Sequence, residues 1–267
     1  IQPASEFDRT ALLTSFARFV DALSGRYITT EDSGTSIEDM ELIRRHTRHV
    51  CGFDVKNGGS GDPSPFTALG VRRGIEACVK WALGRSDLNG VRVAVQGVGN
   101  VGYHLCRELS TAGARLTVAD VRDELAQRAA SEFDAEIAKS ATIHRTACDV
   151  YAPCALGGAL NDRTVPELSC KIVAGAANNQ LTSDRNGALL RERGILYAPD
   201  YAINAGGLIN VAQEVAGYDE DKARARTLRI YDTIWEICER ARQLEQPPHR
   251  IADAMVREIL AAAKVAP

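Results

Sequence analysis

The spacing of apolar residues predicts two helices near the start of the chain. Apolar side chains recur at intervals of three and four over residues 12–23, which predicts an amphipathic helix that ends at Gly25. Residues 26–30 follow and predict a short strand. Residues 35–38 have the pattern of a helix capping box, so we expect a second helix that begins there and reaches about Val50.

The pattern changes after residues 57–65 (NGGSGDPSP), which are dense in Gly, Pro and Ser and predict a linker. Beyond it, short apolar runs alternate with helical segments, as in a parallel sheet with helices on both faces. The predicted strands are residues 91–95, 115–119, 149–152, 171–174 and 195–198. From Gly207 onward the pattern is helical. The sequence therefore predicts an α/β fold with a doubly wound parallel sheet.

Composition narrows the class of protein. The chain has 267 residues, 45% hydrophobic and 25% charged, with a formal net charge of −3, which excludes disordered and collagen-like chains. No basic excess indicates nucleic acid, and no apolar run indicates a membrane span or signal peptide, so we expect a soluble, cytoplasmic protein. Seven cysteines without CxxC pairs predict neither a disulfide framework nor a metal site.

A glycine-rich turn between a predicted strand and a predicted helix carries the first candidate chemistry. Gly97, Gly99 and Gly102 have the GxGxxG spacing, which permits a tight turn, close approach of a pyrophosphate, and close packing of helix on strand. Asn100 and Val101 open the helix, whose N-terminal N–H groups attract phosphate. We expect these five residues to bind a dinucleotide cofactor.

Asp120 ends the next predicted strand. A carboxylate there accepts hydrogen bonds from the adenosine ribose hydroxyls and repels a 2′-phosphate, which favours NAD over NADP. The alternative is an ordinary glycine turn beside a surface aspartate.

Several sequence blocks together resemble the leucine dehydrogenases of the Glu/Leu/Phe/Val amino-acid dehydrogenase family. The blocks are RYITTEDSGT (26–35), GDPSP (61–65), VAVQGVGNVGYHLCREL (93–109), CDVYAPCALGG (148–158) and APDYAINAGGLINVA (198–212). The resemblance implies a Rossmann-type sheet with a partial α/β substrate domain. It also implies reversible NAD-dependent oxidative deamination of an L-amino acid to a 2-oxo acid and ammonia by a homo-oligomer.

The resemblance assigns site roles as well. Asp32 matches the catalytic aspartate, which moves a proton to or from the substrate amino group; taken alone it is an exposed carboxylate at a strand end. The residues implied to lie around the nicotinamide and its ribose are Thr67, Cys154, Ala155, Asn178 and Asn204, the last also facing the substrate. The alternatives are a buried thiol for Cys154 and turn-forming roles for the asparagines. We expect Cys154 to be a wall of the site, because hydride transfer needs no covalent adduct.

Leu208 and Val211 lie three residues apart, so they are expected to share one helix face beside Asn204. In the family such positions line the pocket for the substrate side chain. Both are apolar, which favours an aliphatic or aromatic amino acid over glutamate. Ordinary core packing is the alternative.

Two lysines of the family mechanism have no match in the chain. One holds the substrate carboxylate; the other, in a GGGK segment expected a few residues before Ile1, activates the attacking water. Lys56 is a weak substitute, because loop lysines are usually solvated. The predicted domains are therefore a partial substrate domain at residues 1–62, joined by about 248–267, and an NAD-binding domain at residues 63–247.

Three hypotheses follow. The first is an amino-acid dehydrogenase whose amino-terminal segment lies upstream or comes from a second chain, acting on an L-amino acid or a 2-oxo acid. The second is a non-catalytic NAD-binding or interaction protein derived from such an enzyme. The third, a different Rossmann oxidoreductase, is disfavoured because Asp32, Asn178 and Asn204 all fall in register.

Overall fold

The computed structural model describes residues 8–32 and 34–265. The helices are α1 (Arg9–Ala22), α2 (Ile37–Arg44), α3 (Ser64–Leu83), α4 (Asn100–Thr111), α5 (Asp123–Phe133), α6 (Thr164–Glu167), α7 (Asp184–Glu192), α8 (Asp200–Ile203), α9 (Gly206–Ala212), α10 (Glu220–Leu228), α11 (Ile230–Gln243) and α12 (Pro248–Val265). The strands are β1 (Arg92–Gln96), β2 (Arg115–Ala119), β3 (Glu136–Ile137), β4 (Val150–Pro153), β5 (Ile172–Val173) and β6 (Leu196–Tyr197). Across the described ranges, no helix has the length and apolar character needed to cross a membrane.

The strands form one six-stranded sheet in the order β3-β2-β1-β4-β5-β6, and every neighbouring pair is parallel. The chain runs outward from β1 to β3, then returns to the other side of β1 for β4 to β6. This is the strand order of a Rossmann-type doubly wound sheet, so the predicted fold is confirmed. The reversal between β1 and β4 opens a crevice at the carboxyl edge of the sheet, where ligands bind in such folds.

Contacts divide the described chain into two compact units. The first comprises the described residues up to Phe66 together with Gly207–Thr227; the second comprises Thr67–Gly206 and the residues from Leu228 onward. The segment 207–227, predicted with the NAD-binding domain, thus groups with the first unit. The predicted domain boundaries do not coincide with these units and stay a prediction.

Helix α12 lies in the second unit, whereas the sequence prediction joined it to the substrate domain. Its Asp253 accepts a hydrogen bond of 2.5 Å from the Tyr201 hydroxyl, which also donates to the His249 carbonyl at 3.1 Å. The His249 ring packs on Gly187 of α7, where any side chain would collide with it. These contacts hold α12 beside α7 and α8.

In the first unit, α1 and α2 bury a small apolar core formed by Leu13, Ala17, Met40, Ile43 and Val50. Helix α2 begins with a capping box in which Ser36 Oγ accepts from the Asp39 N–H and Asp39 accepts from the Ser36 N–H. The predicted box paired the wrong residues, since it used Thr35 and Glu38.

Two predictions for the first unit are wrong. Helix α2 ends at Arg44 rather than near Val50. Residues 26–30 lie outside any described strand, and Thr29 makes a single parallel bridge to Val50. The helical spacing of the buried residues Met40, Ile43, Thr47 and Val50 continues past the end of α2, which explains why the pattern indicated a longer helix.

Candidate functional site

The glycine-rich turn lies between β1 and α4, at the crevice of the sheet. Gly97 has φ of +90°, and a Cβ there would lie 2.8 Å from the Ala155 nitrogen. A Cβ on Gly102 would lie 2.0 Å from the Gly97 carbonyl oxygen. Because the turn and α4 pack closely at both glycines, neither position can hold a larger residue without a shift of the backbone.

Gly99 has different surroundings from the other two glycines. It is the N-cap of α4 with an ordinary φ of −68°, and a Cβ built on it would meet no atom of the described chain within 4 Å. Open space therefore lies beside Gly99, at the end of α4 where Asn100 and Val101 begin the helix. A helix N-terminus that faces open space over a glycine fits a pyrophosphate.

Asp120 follows β2, and its carboxylate reaches back to the glycine-rich turn. It accepts hydrogen bonds from the Val98 N–H at 2.8 Å and the Arg122 N–H at 3.0 Å. The Arg122 guanidinium lies 3.9 Å away. The carboxylate is therefore fixed at the turn, where a nucleotide ribose lies in Rossmann-type folds.

The segment after β4 forms the next part of this edge. The Cys154 N–H donates to the Gln96 carbonyl at 2.7 Å, which continues the β1–β4 ladder by one residue, and Ala155 packs on Gly97. Burial raises the pKa of the Cys154 thiol to about 12, so the thiol is neutral and a weak nucleophile at neutral pH. The role of Cys154 as a wall of the site stays a prediction.

Two asparagines meet beyond the ends of β5 and β6. The Asn204 side-chain amide donates to the Ala176 carbonyl at 3.0 Å and to Asn178 Oδ1 at 2.5 Å. A Cβ on Gly157 would lie 2.7 Å from the Asn178 carbonyl oxygen, so the loop after β4 packs against Asn178. The second unit thus brings the glycine-rich turn, Asp120, Cys154, Ala155, Asn178 and Asn204 to one edge of one sheet.

The motifs did not reveal the residues that hold this edge. Gln180 is fully buried and its side-chain amide donates to the Gly175 and Ala177 carbonyls, both at 2.9 Å. The buried Asp200 accepts the Gln180 N–H at 3.0 Å. Asp200 lies within the family block 198–212 and Gln180 lies two residues after Asn178, but only the fold shows that they brace the loop carrying Asn178.

Thr67 is half-buried near the start of α3 in the second unit. Asp32, Leu208 and Val211 lie in the first unit. Asp32 is exposed, and its backbone N–H donates to Thr35 Oγ1 at 2.9 Å. Leu208 is 69% exposed while Val211 is only 4% exposed, so the two predicted pocket residues have different surroundings.

Glu31, next to Asp32, has a pKa that its surroundings raise strongly. Its pKa is raised to about 7, mainly by burial and then by the negative charges of Asp62, Asp32 and Glu38. A carboxyl group with such a pKa carries a proton for part of the time at neutral pH.

A cavity of about 690 Å³ also lies in the first unit, and Asp32, Leu208 and Val211 are not among its lining residues. Its charged lining includes Glu41, Arg44, Arg45, Arg48 and Glu214. Side chains of both charge signs therefore line the cavity.

Known proteins resemble the chain over most of its length. The family model for Glutamate/Leucine/Phenylalanine/Valine dehydrogenase matches residues 58–124 and 116–265. A leucine dehydrogenase of Thermoactinomyces intermedius is 49% identical over 248 residues, which are 93% of this chain and 68% of that protein. A valine dehydrogenase of Streptomyces albus is 43% identical over 256 residues, 95% of this chain and 70% of that protein.

Solved structures of amino-acid dehydrogenases also resemble the chain. The L-tryptophan dehydrogenase of Nostoc punctiforme has a TM-score of 0.82 and 40% identity, covering 97% of this chain and 75% of that chain. A hetero-hexameric glutamate dehydrogenase of Thermus thermophilus, at 22% identity and a TM-score of 0.78, covers 98% of this chain and 70% of that chain, and shares its fold. The chain therefore belongs to the Glutamate/Leucine/Phenylalanine/Valine dehydrogenase family, and it is an amino-acid dehydrogenase of an NAD-dependent family.

Proposed function

We propose that this protein catalyses the reversible NAD-dependent oxidative deamination of an apolar L-amino acid to a 2-oxo acid and ammonia. The observation that carries the proposal is the meeting of the glycine-rich turn, Asp120 and the Asn178–Asn204 pair at the carboxyl edge of one parallel sheet. NAD, when bound, accepts the hydride from the substrate α-carbon.

The chain's residues hold the cofactor along that edge. The α4 N–H groups above Gly99 bind the pyrophosphate, and Asp120 accepts hydrogen bonds from the adenosine ribose. By family resemblance, Asn178, Cys154 and Ala155 lie against the nicotinamide ribose, and Thr67 orients the carboxamide.

Asp32 is the proposed acceptor of the proton that leaves the substrate amino group. By resemblance it accepts a proton from the substrate amino group as the α-carbon loses its hydride, and the substrate becomes an imine. Water then adds to the imine, and ammonia leaves to give the 2-oxo acid. In the family the base for that water is a lysine, and none of this chain's lysines matches it.

An apolar substrate is supported by the residue types on α9 and by the relatives. Leu208 and Val211 offer no positive charge to a side-chain carboxylate, and burying a carboxylate without a partner costs far more than the roughly 2–7 kcal/mol of a neutral polar group. The relatives named above are leucine, valine and L-tryptophan dehydrogenases. Assembly into a homo-oligomer is implied by the resemblance, and sedimentation velocity of the natural protein checks it.

Turnover assays test the proposal in two arms. The protein as its gene encodes it should form NADH from L-leucine, L-valine, L-phenylalanine or L-tryptophan at alkaline pH, with L-glutamate far poorer. The 267-residue chain alone should bind NADH without turnover, because none of its lysines matches the family's general base. A positioned general base contributes about 10²–10⁴-fold to the rate.

Each other outcome has a definite meaning. A preference for L-glutamate would contradict the proposed substrate class. Turnover by the 267 residues alone would shift the role of the base to Lys56, which Lys56→Ala then tests. NADH binding without turnover by the natural protein would favour the non-catalytic alternative.

A further inference from the structure

Two backbone hydrogen bonds join the segment that leads to Asp32 to residues 49–51. The Thr29 N–H donates to the His49 carbonyl at 3.0 Å, and the Cys51 N–H donates to the Thr29 carbonyl at 2.8 Å. These two bonds make the isolated bridge between Thr29 and Val50. Asp32 itself is tied to Thr35, since its N–H donates to Thr35 Oγ1 at 2.9 Å. The segment before it depends on what fixes the second partner of the bridge, residues 49–52.

Glu214 fixes it. This residue lies in the 3-10 turn Gln213–Ala216 that follows α9, and its Oε1 accepts the N–H of Gly52 at 2.8 Å and the N–H of Ser60 at 2.6 Å. The half-buried carboxylate also faces Cys51, whose pKa is raised to about 11 by burial and then by the charge of Glu214. One carboxylate oxygen thus joins two loops that are distant from it in sequence.

Gly52 connects the Glu214 carboxylate to the residues before Asp32 by direct contact. A Cβ on Gly52 would lie 2.8 Å from Thr30 Oγ1 and 3.6 Å from Glu31 Cβ. The Gly52 backbone therefore packs on the two residues immediately before Asp32. A shift of Gly52 has to move Thr30 and Glu31, because a close-packed contact leaves no room for it.

The Ser60 peptide is held from its other side by the same part of the chain. The fully buried Asn210 donates from its side chain to the Ser60 carbonyl at 3.5 Å, and the Tyr218 hydroxyl donates to Asn210 Oδ1 at 2.8 Å. Residues 210–218 thus brace both loops, and they begin two residues after Leu208.

We propose that Glu214 is a positioning residue for the reaction, which sets the place of Asp32 relative to α9. It acts through Gly52 and touches neither substrate nor cofactor. This inference rests on the proposed function in so far as Asp32 is the proton carrier. No motif marks Glu214, since its partners are backbone N–H groups of residues far away in sequence.

Glu214→Ala, Glu214→Gln and Glu41→Ala in the natural protein test the proposal. Glu41 is the matched control: its Oε1 also accepts two hydrogen bonds in the first unit, from the Asp54 N–H at 3.1 Å and the Asn57 side chain at 2.8 Å. Glu214→Ala should lower kcat by about 10- to 100-fold, the effect of a misplaced catalytic group, with KM for NAD unchanged. Glu214→Gln keeps Oε1 as the acceptor and should restore most of kcat.

Glu41→Ala should lose thermal stability to a similar extent as Glu214→Ala and keep kcat. Equal loss of kcat in Glu41→Ala, an unchanged kcat in Glu214→Ala, or failure of Glu214→Gln to restore it would overturn the proposal. If Glu214→Ala does not fold, Glu214→Asp replaces it, with Glu41→Asp as its control, since each shortens one carboxylate by a methylene.

Amide hydrogen exchange separates this inference from the proposed function. Exchange at Thr29 and Cys51 should quicken in Glu214→Ala but not in Glu41→Ala, whether or not the wild type turns over. An inactive wild type with this exchange pattern would refute the proposed function and keep the bracing by Glu214. An active wild type without it would refute the bracing.

Discussion

At the scale of single residues, the charge next to Asp32 is set by burial rather than by residue type. Glu31 and Asp32 are adjacent carboxylic acids, and Asp32 is exposed while Glu31 is half-buried. Burial and three neighbouring carboxylates raise the pKa of Glu31 to about 7. The sequence shows both acids, but it does not show that only one of them enters the packed side of the loop.

The raised pKa of Glu31 predicts a pH-dependent stability. In the unfolded chain this group titrates near its usual 4.5, and in the folded chain near 7. Between these values the folded state binds the additional proton, so the contribution of Glu31 to stability is full below about pH 4.5 and is lost as the pH rises through 7. Glu31→Gln should remove this slope and raise the melting temperature most at alkaline pH.

Thermal unfolding of both proteins between about pH 5 and pH 8 measures the difference. Glu41→Gln, which changes another half-buried carboxylate of the first unit, is the control. Parallel curves for the wild type and Glu31→Gln would show that Glu31 titrates alike in the folded and unfolded states.

At the scale of elements, burial decides which predictions hold. Strand β4 is buried throughout and reads as an apolar run, so the sequence predicted it to within a residue. The strand β3 was missed because Glu136 and Ile137 are both exposed and carry no apolar pattern. The glycine-rich turn was predictable from residue types alone, since Gly97 and Gly102 have no room for a side chain. The bracing roles of Gln180 and Glu214 were not predictable from residue types, because these side chains bind backbone groups.

Truncation of Leu208 and truncation of Val211, both on α9, should have different effects on stability. Leu208 is 69% exposed, so Leu208→Ala should change stability by no more than about 0.5 kcal/mol and shift kcat/KM toward bulkier substrates by roughly 1–3 kcal/mol. Val211 is 4% exposed, so Val211→Ala should cost roughly 1–3 kcal/mol of stability in addition.

Denaturant unfolding and kcat/KM for L-leucine and L-phenylalanine in the natural protein measure both effects. Val215→Ala, at a 66% exposed position soon after α9, is the control and should change neither. An unchanged substrate preference in both α9 variants would show that these residues do not line the pocket.

At the scale of the whole molecule, the predicted functions separate between the two units. The residues proposed to hold NAD lie in the second unit, and Asp32, Leu208 and Val211 lie in the first. Cofactor binding should therefore depend on second-unit residues, while amino-acid chemistry also needs the first. The sequence predicted the cofactor half more fully, because its residues follow successive strands of one sheet.

The most direct test of the account is a fluorescence titration of the 267-residue chain with NADH and NADPH, using the wild type, Gly99→Ala and Asp120→Ala. The wild type should bind NADH more tightly than NADPH. Gly99→Ala meets no atom of the described chain within 4 Å, so it should fold as well as the wild type yet bind NADH at least about tenfold more weakly.

Asp120→Ala should lose the preference for NADH, since each hydrogen bond from a ribose hydroxyl to a carboxylate contributes roughly 1.5–3 kcal/mol. Tighter binding of NADPH by the wild type, with Arg122 then the residue that holds the 2′-phosphate, would contradict the account. So would NADH binding by Gly99→Ala that equals that of the wild type.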